Sequence, residues 1–128
     1  MVIFTGLVPD KEKMMAFIDA DVFVTPRFYG FPITFLEAMA CGTPIVTTNA
    51  GDFIEGIDNE VGYVTRYDEK ELKNALLKVL TDEKWKNSFK EKAKKKSNEY
   101  SWDRIVGKLE KVYEEVKGDS FKAKRGKN

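Results

Sequence analysis

The chain has 128 residues, 42% apolar and 34% charged, a size and balance that fit one packed domain and exclude wholesale disorder. Lysine and arginine number 22 against 21 acids, and a net charge of +1 gives no general argument for nucleic acid or an anionic membrane as partner. Histidine is absent and Cys41 is the single cysteine, which removes the commonest metal ligand, the commonest general base and any intrachain disulfide. No metal and no cofactor are expected, and the setting expected is cytoplasmic.

In chain order, Val2 to Phe4 is a short apolar run stopped by Gly6 and reads as a buried strand. The same opening lacks the pattern of a secretory leader. Asp10 is placed to cap a helix whose apolar face is Met14, Met15, Phe17 and Ile18, with Lys13 where a capping box has its Glu. Val22 to Val24 is a second strand ended by Pro26. Thr34 to Ala40 is a compact helix, with Gly42 suited to the left-handed position that closes it and Pro44 preventing continuation. Ile45 to Thr48 is a third strand, Phe53 to Gly56 a helical turn, and Gly62 to Val64 a fourth, short strand.

The remainder is helical. Asp68 opens a helix carrying Leu72, Leu76, Leu77 and Leu80, and Asp82 opens another that reaches about Tyr100. Ser101 caps a last helix with Trp102, Ile105, Leu109, Val112 and Tyr113 on one stripe. Residues 118–128 are polar and basic and read as a disordered tail. No apolar run approaches the ~20 residues of a membrane span. The basic run from Lys84 to Lys96 is interleaved with acids and marks a solvated helix face.

Short apolar strands alternating with helices give an α/β fold: a partial Rossmann-like, three-layer unit with a parallel sheet of about four strands, helices on both faces and a helical C-terminus. A complete nucleotide-binding domain has about six strands, so the sheet reads as part of a domain.

The stretch from Val24 to Val46 carries the chemistry. A strand ends at Pro26, a glycine-containing loop follows, and a helix starts near Ile33 or Thr34. Ligands of open parallel sheets bind at the carboxyl ends of the strands, and a helix N-terminus there suits a diphosphate. Gly30 permits close backbone approach, Arg27 offers a countercharge, and Glu37 can accept hydrogen bonds from ribose hydroxyls.

The run Tyr29-Gly30-Phe31-Pro32-Ile33-Thr34-Phe35-Leu36-Glu37-Ala38-Met39-Ala40-Cys41-Gly42-Thr43-Pro44-Ile45-Val46 resembles the signature of the retaining glycosyltransferases of family 4, the group 1 glycosyltransferases. Their pattern is Glu-Gly-Phe-(Gly or Pro), four residues, a second Glu, then Ala-Met-Ala-x-Gly-x-Pro-Val. The flanks are similar too: Phe4-Thr5-Gly6, Ala20 to Pro26, Asn49 to Glu55, Val61 to Val64, and Ser101-Trp102. The resemblance implies part of the C-terminal, donor-binding domain of a two-domain GT-B fold, here residues 1–117. It implies metal-independent, retaining, hexosyltransferase-like chemistry on a UDP-, GDP- or ADP-sugar. By the same resemblance Glu37 holds the ribose and Gly30 to Thr34 cradle the diphosphate and sugar, with Phe31, Ile33 and Thr34 as backbone donors because Pro32 has no N–H.

Two departures bear on activity. Tyr29 stands where the family has its first Glu, and a phenol carries no negative charge at neutral pH. Arg27 replaces the usual small Ser. No residue is therefore assigned a catalytic role. The expected function is donor binding by a chain inactive alone, paired as a homodimer or with a separately encoded N-terminal domain; the alternative is a non-catalytic binding or assembly module.

Overall fold

The computed structural model describes residues 1–27, 32–50, 57 and 60–125, with side chains described as far as Lys117. Two compact units, Met1–Asn98 and Glu99–Asn128, are each described by themselves. In the first unit, β1 (Phe23–Thr25), β2 (Ile45–Thr48) and β3 (Gly62–Thr65) form a parallel sheet in the order β1-β2-β3. Helices α1 (Asp10–Asp19), α2 (Ile33–Cys41), α3 (Glu69–Thr81) and α4 (Glu83–Asn98) surround it.

Strand alternation sorts the two faces. Phe23 and Ile45 are register partners on one face, packed with Phe17 of α1, Phe35, Ala38 and Met39 of α2, and Phe89 and Ala93 of α4. Val46 and Tyr63 are partners on the other, packed with Leu72, Ala75, Leu76 and Val79 of α3. Trp85 joins both clusters, stacked on Tyr63 at 5.2 Å and tilted against Phe89 at 5.1 Å. The expected α/β class, with a parallel sheet between helical layers and a helical C-terminus, is thus observed.

The predicted ends of α2, α3 and α4 are found, each with its physical cause. Gly42 takes φ +78°, and the amides of Gly42 and Thr43 turn back onto Met39 and Ala38 to close α2. Asp68 accepts from the Glu71 amide at 2.9 Å, and Asp82 from the Trp85 amide at 2.9 Å. Ser101 precedes α5 (Trp102–Arg125), its carbonyl taking the Ile105 amide at 3.0 Å.

Other expectations are corrected. Val2 to Phe4 forms no strand: its side chains are exposed, Phe4 94% so, and its backbone has no ladder partner among the described residues. A strand needs a neighbour to bond its amides and carbonyls, and none adjoins this run. The sheet has three described strands where about four were expected. In α1 only Phe17 is buried and Met14 partly so, while Met15 and Ile18 are exposed. Asp10 lies inside α1 and caps nothing with its side chain; Pro9 precedes the helix with φ −59°. In α3 the inward stripe runs through Leu72, Ala75, Leu76 and Val79, spaced i, i+3, i+4, i+7, which turns Leu77 and Leu80 outward. The backbone of α5 runs from Trp102 to Arg125. The turn expected at Phe53 to Gly56 lies outside the described residues.

A Cβ on Gly62 would stand 2.6 Å from the Ile45 carbonyl oxygen, a backbone atom of the central strand. Gly62→Ala should therefore destabilise the first unit by ~1–3 kcal/mol in urea titrations. Gly107→Ala in α5, where the new methyl meets open space, should instead raise helix stability by up to ~1 kcal/mol. After β3, the Arg66 amide donates to Glu71 Oε2 at 3.0 Å and its guanidinium to Oε1, holding the Glu71 carboxyl below its ordinary 4.5. A lowered folded pKa contributes stability above pH 4.5 that is lost as pH falls through the folded value. Glu71→Gln should flatten that part of an acid unfolding series, and an unchanged slope would show that the pair contributes nothing.

Candidate functional site

The carboxyl edge of the sheet is built by threonines. Thr47 Oγ1 donates to the Thr25 carbonyl at 2.8 Å, and Thr48 Oγ1 donates to the Pro26 carbonyl while accepting from the Ala50 amide at 3.2 Å. Asn49 N donates to the Thr65 carbonyl at 2.8 Å. These bonds level the ends of β1, β2 and β3, where the connections to α2 and α3 leave the sheet. On the α3 side of this edge lies a cleft of about 280 Å³ lined by Pro26, Thr48, Tyr67, Asp68, Glu69 and Leu72. Its walls are an apolar shelf and two carboxylates, and none of the candidate binding residues, Arg27, Glu37 or Pro32 to Thr34, lines it. The Pro26–Thr48 pairing that forms its floor depends on a hydroxyl–carbonyl bond that strand periodicity does not report.

On the opposite side, α2 starts behind Pro32 with no side-chain cap on its first turn. Ile33 and Thr34 are exposed there, and the Phe35 amide returns to the Pro32 carbonyl at 2.9 Å. Phe28, Tyr29, Gly30 and Phe31 lie outside the described residues. Arg27 is exposed at the end of β1, its carbonyl accepting from Thr25 Oγ1 at 3.0 Å.

One turn into α2, the Glu37 side chain is 25% exposed. Its Oε1 accepts from Lys13 Nζ of α1 at 2.9 Å, and the same amine stands 3.2 Å from Asp10 Oδ1. Its Oε2 is buried and has no hydrogen-bond partner among the described residues. A buried carboxylate oxygen without a donor is costly, so this atom marks a place where a hydroxyl would be welcome. The hydrogen bond to Glu37, then that to Asp10, raises the Lys13 amine above its ordinary pKa. Burial, reinforced by Glu37, pushes the Cys41 thiol up and away from reactive thiolate chemistry.

The structure thus brings Glu37 and the α2 N-terminus, with Pro32, Ile33 and Thr34, to one end of a single helix. Lys13 is the participant the sequence reading missed. The available signal was its spacing: Asp10, Lys13 and Phe17 follow one another at i, i+3 and i+7 along one side of α1, and Phe17 is buried against α2. Among the described residues no three His, Cys, Asp or Glu side chains gather where a metal could be held.

Comparison with known proteins agrees with this architecture. Residues 1–96 match the family described as glycosyl transferases group 1. A phosphatidyl-myo-inositol mannosyltransferase of Mycolicibacterium smegmatis is 30% identical over 123 residues, covering 93% of this chain and 32% of that protein. An uncharacterized glycosyltransferase of Methanocaldococcus jannaschii is 35% identical over 116 residues, 88% of this chain and 30% of that protein. The solved sucrose-phosphate synthase from Thermosynechococcus elongatus superposes with a TM-score of 0.78 at 25% identity, over 91% of this chain and 30% of that one. The chain spans about a third of the length of these relatives. With its parallel sheet, its α2 signature helix and this match over residues 1–96, the chain belongs to the group 1 glycosyl transferases and corresponds to part of the C-terminal domain of their GT-B fold.

Proposed function

We propose that this chain binds a nucleotide diphosphate-sugar at the carboxyl edge of its sheet, with Glu37 reading the ribose and the start of α2 receiving the diphosphate. The observation that carries the reading is the buried, unpartnered Oε2 of Glu37, one helical turn from an uncapped N-terminus. A ribose hydroxyl would supply the missing donor. The amides of Ile33 and Thr34, with the partial positive charge of the helix end, would face the phosphates. Arg27 would add countercharge, and Tyr29, Gly30, Phe31 and Pro32 would line the donor sugar, as the family signature implies. In the intact enzyme such a donor site serves retaining, metal-independent transfer, the helix end stabilising the departing nucleotide diphosphate. The setting we propose is cytoplasmic; among the described residues no helix is long and apolar enough to cross a membrane.

Donor binding by this chain is proposed without turnover. Transfer requires donor and acceptor held together, an arrangement worth ~7–11 kcal/mol of barrier, and the chain covers about a third of relatives named as transferases. Isothermal calorimetry with UDP, GDP and ADP should detect binding that Glu37→Ala weakens by ~1.5–3 kcal/mol. Unchanged affinity in that variant would remove Glu37 from the ribose role. Sugar transfer onto a glycan by the purified chain would overturn its inactivity.

A second reading, an assembly module, is favoured by exposed apolar surface. Met1 to Phe4 and Leu7 are exposed, and among the described strands β1 is an edge, bonded on one side by β2. Taken by itself, α5 exposes Trp102, Leu109, Val112 and Val116 along one stripe. Open strand edges and apolar stripes recruit another chain, and a stable interface needs ~1,200–2,000 Å² in total. The pairing proposed is a homodimer. Light scattering at micromolar concentration should give about twice the 14.7 kDa chain mass, and a monomer would overturn it.

A further inference from the structure

We propose that Lys13 is the positioning residue of Glu37: it holds one carboxylate oxygen and leaves the other, buried oxygen as the acceptor that a ribose diol would take. The inference rests on the ribose-reading role proposed above for Glu37, and it concerns what holds that side chain in place.

A glutamate on a helix surface has three rotatable bonds and, left alone, spreads its carboxylate over several rotamers. Here the spread is removed by a cation from a different helix. Lys13 Nζ donates to Glu37 Oε1 at 2.9 Å across 24 residues of sequence. The lysine is itself long and flexible, and it is steadied in turn by Asp10, whose Oδ1 lies 3.2 Å away in the first turn of α1. The two helices that carry the pair are locked to each other. Phe17, one turn beyond Lys13, is buried in the cluster that contains Phe35, Ala38 and Met39 of α2. The buried Thr43 hydroxyl, just past α2, donates to the Phe17 carbonyl. The distance bridged by the amine is therefore set by packing, and the amine in turn sets the carboxylate.

The division of labour follows from the two oxygens. Oε1 has its donor in Lys13, while Oε2 is buried with none. Neither Lys13 nor Asp10 lines the cleft on the α3 side, so the pair acts on Glu37 and not on that cavity.

The test separates positioning from direct contact by using the hydroxyl that Glu37 would read. Calorimetry is run on the full chain with whichever of UDP, GDP and ADP binds, and with its 2′-deoxy counterpart. The wild type should prefer the ribonucleotide by about ten-fold, the scale of one hydrogen bond to a charged group. Lys13→Met should reduce that preference to two-fold or less while leaving affinity for the 2′-deoxy form unchanged. Lys13→Arg, which keeps the cation, should retain it, with far-UV circular dichroism confirming that both variants fold. If Lys13→Met weakens both forms in equal proportion, the amine contacts the nucleotide itself and the inference is wrong; an intact preference in Lys13→Met overturns it as well. Glu37→Ala is the separate control on the underlying reading. A preference that survives Glu37→Ala, or its absence from the wild type, defeats the ribose role and the inference with it.

Discussion

Ile45, Val46, Thr47 and Thr48 lie in sequence along β2 with essentially no access to water, and the arrangement of the first unit follows from keeping them there. A strand buried on both faces must have both backbone edges paired, and β1 and β3 supply those partners in parallel register. Its alternation assigns Ile45 to the layer of α1, α2 and α4 and Val46 to that of α3. The two threonines are the expensive residues, since a buried hydroxyl without a partner costs ~1–3 kcal/mol. Both are satisfied by carbonyls at the end of β1, Thr25 and Pro26. The same bonds fix the height at which β1 ends, and hence where the chain departs toward α2 and its signature residues.

Two carboxylates at this end of the sheet, Glu71 and Glu37, are treated differently. Glu71 is saturated: the backbone amide and guanidinium of Arg66 take both of its oxygens, and it serves the turn between β3 and α3. Glu37 is half satisfied, with one oxygen on Lys13 and one buried without a donor. A protein gains nothing in stability by leaving such an oxygen unpaired. Close by on α2, burial and then the Glu37 charge raise the pKa of the Cys41 thiol, so it stays protonated.

Group 1 membership brings a consistent setting to these local observations. Residues 1–96, three quarters of the chain, match the family, and the chain spans about a third of the relatives' length. The described sheet has the order β1-β2-β3 with β1 at one edge, and Met1 to Phe4 are exposed.

Much of this was legible in sequence because its causes are local. The run Ile45-Val46-Thr47-Thr48 between Pro44 and Asn49 gave β2 with its observed ends, Gly42 gave the left-handed close of α2, and Asp68 and Asp82 gave the starts of α3 and α4. Glu37 was singled out by the residues around it in the signature. What the sequence left undetermined depends on which surfaces meet. Val2 to Phe4 is as apolar as a buried strand, yet a strand exists only where a neighbour accepts its hydrogen bonds. Met15, Ile18, Leu77 and Leu80 carry the composition of a core and point away from it, because helix packing chose the stripe. The bridge from Lys13 to Glu37 and the cleft floored by Pro26 and Thr48 join residues 24 and 22 positions apart, and such pairs come together only when two helices or two strands are packed side by side. The sequence by itself determined most of the elements, their order and the signature helix; tertiary packing alone decided which oxygen of Glu37 meets Lys13 and which has no donor among the described residues.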